Sequence, residues 1–81
     1  MSAVKNAVAA RFKSICKQRG IAANELANRS GVTPSTVYSL FDEKRKNVSI
    51  TTIKILCDGL DLSLGAFFSS PEFEHLEQEI Q

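Results

Sequence analysis

Apolar residues recur along this chain at intervals of three and four, the spacing that draws one stripe down a helix, and the pattern reads as nearly all helix. Val4, Val8, Phe12 and Ile15 form the first stripe, which stops at Arg19-Gly20, where glycine suits the residue just past a helix end. A second segment, Ala23 to Ser30, turns Leu26 and the small Ala27 inward before Ser30-Gly31-Val32-Thr33 interrupts it. Gly31 can take the left-handed conformation that ends one helix, and Thr33 is placed to cap the next, with Pro34 at a first position where a missing N–H costs nothing. Val37 and Leu40 give that third helix its stripe, with Phe41 beside it. Two helices joined by so tight a turn cross steeply, so the small Ala27 is expected to be the point of close approach to Val37.

Beyond a loop from Glu43 to Val48 without apolar period, Ser49 is expected to cap a fourth helix with Ile53, Leu56, Cys57 and Leu60 inward, closed near Gly59. Ser63 is expected to cap a short fifth helix ending in Phe67-Phe68. After Pro71, the residues Phe73, Leu76 and Ile80 recur on an otherwise acidic segment. It reads either as a sixth helix folded back on the domain or, the favoured reading, as a dimer contact; so few residues would be marginal alone. The expectation is an all-α, five-helix domain over residues 1–70 with an acidic tail over 71–81.

The outward positions of the third helix are Pro34, Ser35, Thr36, Tyr38 and Ser39, then Asp42 and Glu43, followed at once by Lys44-Arg45-Lys46-Asn47. Serine and threonine are poor helix formers, and a purely structural helix would fill its exposed face with Glu, Lys, Gln or Ala. Short hydrogen-bonding side chains beside a basic loop point to a binding surface.

Net charge of +1 argues against a nucleic-acid binder until its distribution is considered. Residues 1–20 carry +5 through Lys5, Arg11, Lys13, Lys17 and Arg19, residues 21–47 carry +1, and residues 48–81 carry −5. Such polarity suits a molecule that meets phosphates on one side only. At 81 residues, with 43% hydrophobic and 23% charged, the chain is expected to be one soluble, cytoplasmic domain. Its apolar runs fall well short of the roughly 18 residues of a membrane span, and no signal peptide is visible.

Cys16 and Cys57 lack the spacing of a metal site and are expected to be small, buried, reduced hydrophobes, a disulfide being the other outcome. His75, the one histidine, has no orienting partners, and no glycine-rich phosphate loop is present. Asp58 and Asp61 flank a helix end with no cleft implied. The sequons Asn28-Arg29-Ser30 and Asn47-Val48-Ser49 have no meaning for an intracellular chain. No enzyme, metal or cofactor is expected.

The run ELANRSGVTPSTVYSL followed by SITTIKILCDGLDLSLGAFF resembles the lambda-repressor/Cro-type (Xre family) helix-turn-helix domain, over most of the chain from Ala7 to Phe68. The resemblance implies a compact five-helix lambda-repressor-like fold that binds double-stranded DNA. A helix fits the major groove with its N-terminal half at the base edges, which here puts Pro34, Ser35, Thr36, Tyr38 and Ser39 in position to read bases. None of them offers the bidentate fork of Arg, Asn or Gln, so water, methyl contacts and DNA shape are expected to carry much of the specificity. By similarity, phosphate contacts fall to Ala23 and Asn24 at the start of the second helix and to Lys44, Arg45, Lys46, Asn47 and Thr51 after the third; Asn28 and Arg29 are weaker candidates.

Three departures stand out. Ala22 replaces the usual Ser or Thr cap of the second helix, the loop after the third helix lacks its usual Gly and is longer, and Cys16 and Phe41 stand where many relatives pair an Arg with a Glu. Apolar packing can replace such a pair at no loss, so Cys16 is expected to touch Phe41. The function expected is a sequence-specific transcriptional regulator, a repressor acting as a homodimer. The alternative is a protein-interaction module of the same fold, using the Tyr38 face or the Phe73/Leu76/Ile80 stripe.

Overall fold

The computed structural model describes residues 3–76. They form six helices: α1 (Ala3–Arg19), α2 (Ala23–Ser30), α3 (Pro34–Phe41), α4 (Ile50–Gly59), α5 (Leu64–Phe68) and α6 (Pro71–Glu74). The architecture is all-helical, as the periodicity predicts. Two glycines end the first two helices by the same device. Gly20 and Gly31 stand at φ +67° and +70°, and the next residue reaches back, with Ile21 N donating to Cys16 O and Val32 N to Ala27 O.

The core is one cluster drawn from every helix but α6, centred on the fully buried Val8, Phe12, Leu26, Ala27, Val37, Leu56, Cys57 and Phe67. α2 lies at the middle of the helix-turn-helix half, packed against both α3 and α4. Burying each large side chain contributes about 1.5–3 kcal/mol, so Phe12 and Phe67, whose ring centroids lie 4.4 Å apart, are among the strongest single contributors. Cys16 is buried in this cluster, and Phe41 packs half-exposed against the cluster, with the Lys13 ammonium 5.3 Å from the Phe41 ring centroid.

At the far end, Phe67, Phe68 and Phe73 form an aromatic triangle, Phe73 lying 4.8 Å from Phe68 between ring centroids. Phe73 is half-buried and packs against the core, and Leu76 is half-buried too. Ile80, the third member of the expected stripe, lies outside the described residues.

Three cations of α1 close the ends of three other helices. The Lys5 ammonium, with the residue only 2% exposed, donates to the Asp42 carbonyl at 2.6 Å and ties down the end of α3. Arg19 Nη1 donates to Leu60 O at 2.6 Å at the end of α4, and Arg11 Nε donates to Phe67 O at 3.0 Å at the end of α5. Each places positive charge on the negative end of a helix dipole, where carbonyls lack partners. Val4, placed on the inward stripe by its spacing, is instead 41% exposed; in this first turn it is Lys5 that reaches a partner.

Gly59 does not supply the left-handed turn after α4. It is the last helical residue, and the turn falls on Asp61 at φ 54°, with Leu62 N donating to Cys57 O at 2.9 Å. Gly59 serves a close approach: a Cβ there would run into Ser30 Oγ and lie 3.0 Å from Ser30 Cα, so α2 and α4 touch backbone to backbone at this point.

Candidate nucleic-acid interface

α3 presents the residues that the resemblance assigns to base reading. Pro34, Ser35 and Tyr38 are exposed, Tyr38 to 56%, while Thr36 and Ser39 are half-buried. At about 100° per residue this places Ser35 at the middle of the outward face, Tyr38 on one flank and Thr36 on the other, with Ser39 between Ser35 and Thr36. Thr33 occupies the cap position at extended backbone angles, but its side chain makes no capping bond. Its hydroxyl lies 2.9 Å from Ser35 Oγ and 3.2 Å from Thr36 Oγ1, so the three form a hydroxyl cluster at the tip of the helix.

On the Tyr38 flank, the phenol donates to Asn24 Oδ1 at 3.2 Å, joining the face of α3 to the start of α2. Ala22 offers no side chain to cap that start, which leaves the first backbone N–H groups of α2 without a side-chain acceptor. Asn24 is exposed and Ala23 half-buried, so Ala23 can contribute only its backbone. Asn28 is exposed, and Arg29 is held by Glu25 at 2.8 Å in an exposed pair one helical turn apart.

On the Thr36 flank, the loop leaves α3 through a turn fixed at Asp42, whose side-chain Oδ1 accepts from Lys44 N at 2.9 Å and whose carbonyl accepts from Arg45 N at 3.0 Å. Lys44, Arg45, Lys46, Asn47 and Thr51 are all exposed. Among the described residues the ion pairs are Arg29–Glu25 and Lys54–Asp58, so the loop cations are not neutralised by a carboxylate. The loop ends at Ser49, whose Oγ accepts from Thr52 N at 3.0 Å and starts α4 as the sequence predicts.

Between α3 and this loop lies a cleft of about 280 Å³, lined by Thr36, Ser39, Arg45, Asn47 and Thr52 together with Leu40, Val48 and Ser49. Thr52 and the 59% exposed Ile50 were not among the sequence candidates. Only the Thr-Thr pair just inside the α4 cap hinted at the first, and nothing in the pattern singles out the second. Several basic residues of α1 are engaged within the molecule: Lys5, Arg11 and Arg19 donate at helix ends and Lys13 stands over Phe41.

Cys16 and Cys57 are free thiols. Burial pushes both up from the usual thiol pKa, opposed at Cys16 by nearby Arg19 and reinforced at Cys57 by Asp58. Among the described residues no helix is long and apolar enough to cross a membrane.

The family model for a Cro/C1-type HTH DNA-binding domain matches residues 11–71, which spans every element of this surface. No curated protein and no solved structure shows a significant match to the chain. With most of the chain matched and its helices in the order just described, this protein belongs to the Cro/C1-type helix-turn-helix DNA-binding family, and it is a DNA-binding regulator.

Proposed function

We propose that the protein is a sequence-specific transcriptional repressor that lays the helix from Thr33 to Phe41 in the major groove and silences a promoter by occupying it. The observation that supports this reading is the unbroken polar surface running from Asn24 through Tyr38, Ser35 and Ser39 to the exposed loop cations. A major groove about 12 Å wide admits one helix, and the elements on either side then meet the two phosphate walls.

In this arrangement Pro34, Ser35, Thr36, Tyr38 and Ser39 face base edges. Ala23 and Asn24 meet phosphate on one wall; Lys44, Arg45, Lys46, Asn47 and Thr51 meet it on the other. Backbone N–H groups at the uncapped start of α2 suit an anion for the same reason that a carboxylate cap would suit them. One short helix carrying hydroxyls and a phenol is a weak reader. A homodimer on two half-sites about one helical turn apart, roughly 34–36 Å, supplies the missing affinity. The regulator works in the cytoplasm and performs no catalysis.

The test is binding to random duplex DNA across a salt series. Each phosphate neutralised contributes about −0.9 to the slope of log K against log salt, so a slope of several units is expected. Absence of binding at low salt would defeat this reading and leave the fold as a protein-interaction module.

A further inference from the structure

We propose that Arg45 is a specificity residue that reads a guanine at the edge of each half-site, giving the recognition surface the directional fork that α3 itself lacks. The inference rests on the DNA-reading role proposed above and changes the part Arg45 plays in it, from phosphate contact to base contact.

Three observations carry it. The outward residues of α3 are hydroxyls, a proline and a phenol, none of which can make two parallel hydrogen bonds to one base. Of the three loop cations, Arg45 alone lines the cleft with Thr36 and Ser39, on the flank of α3 that borders its outward face; Lys44 and Lys46 do not line it. Asn47 lines the same cleft beside Arg45, as do Val48 and Ser49.

The backbone of Arg45 is also held in place before any DNA arrives. Its N–H donates to the Asp42 carbonyl at 3.0 Å, and the same carbonyl accepts the buried Lys5 ammonium at 2.6 Å, so the start of the loop is pinned to α1. A side chain launched from a fixed backbone loses less freedom on binding, which favours a directional contact. The planar guanidinium matches the O6 and N7 acceptors of guanine in the major groove, a geometry that lysine cannot copy.

The experiment selects bound sequences from a random duplex pool with the wild-type chain, Arg45→Lys and Arg45→Ala, and measures each protein's salt slope on random duplex. Wild type is expected to select a guanine at a fixed position in each half-site. Arg45→Lys, which keeps the charge but not the fork, should show preference for that guanine fall about ten-fold or more. Arg45→Ala should lose the same preference, and in both variants that loss should exceed any change in binding to random duplex. Since Arg45 is exposed, both variants are expected to keep the helical circular dichroism of wild type. The inference is overturned if Arg45→Lys selects the wild-type sequence with undiminished preference, which would make Arg45 a phosphate contact and leave the repressor reading intact. A wild-type chain that binds no duplex would remove both.

Discussion

Cys16 and Cys57 behave as small core hydrophobes, and their chemistry follows from that. Cys16 is 7% exposed and Cys57 fully buried, and desolvation raises both thiol pKa values. The folded state therefore favours the neutral thiols. That contribution to stability is whole below the ordinary thiol pKa and is lost as pH rises through the raised values. In mildly alkaline buffer, a thiol-disulfide reagent followed by absorbance should titrate neither cysteine until the protein unfolds. Rapid reaction of the native chain would mean that the core around them opens. The burial of Cys57 was legible from helical spacing, and that of Cys16 from the usual place of a free cysteine with no metal-site partners. Lys5 was not, because lysine is read as a surface residue unless a partner is known, and its partner is a carbonyl 37 positions away. Thr33 shows a different limit. Its position as a cap followed from Pro34 and Gly31, but its hydroxyl had nearby serine and threonine hydroxyls to choose from.

The helices themselves were legible from the 3.6-residue period and the caps; the contacts between them were less so. Gly59 illustrates the difference. A glycine near a helix end reads as a terminator, whereas here the neighbouring α2 backbone requires it. Gly59→Ala tests this with opposite signs. Helix propensity alone would stabilise the variant by about 0.5–1 kcal/mol, while a Cβ forced against Ser30 should destabilise it by about 1–3 kcal/mol. A lowered urea midpoint is expected. At the other end of α2, Ala22→Asp adds the missing cap and should raise stability by about 0.5–2 kcal/mol. The same carboxylate would stand where a phosphate is proposed to sit, so duplex affinity should fall as the melting temperature rises. If both rise together, the start of α2 does not meet DNA.

For the whole molecule, the charge asymmetry along the chain was real but misleading in one respect. The basic first helix uses Lys5, Arg11 and Arg19 to finish α3, α5 and α4, which leaves the loop after α3 as the cationic rim of the proposed interface. No local pattern distinguishes a cation that closes a distant helix from one that faces solvent; only the packing of α1 decides. Replacing both loop lysines, Lys44→Gln with Lys46→Gln, should therefore lower the salt slope by about two units. Stability should change by no more than about 0.5 kcal/mol, since both side chains are exposed. An unchanged slope would place the phosphate contacts elsewhere.

The buried ammonium that joins α1 to the end of α3 also makes the protein its own reporter. The chain has six lysines, five of them exposed. An amine-acylating reagent mapped by mass spectrometry should label Lys13, Lys17, Lys44, Lys46 and Lys54 readily and pass over Lys5. Any condition under which Lys5 acquires the label is one in which its bond to the Asp42 carbonyl has opened, freeing the start of the segment that carries Arg45.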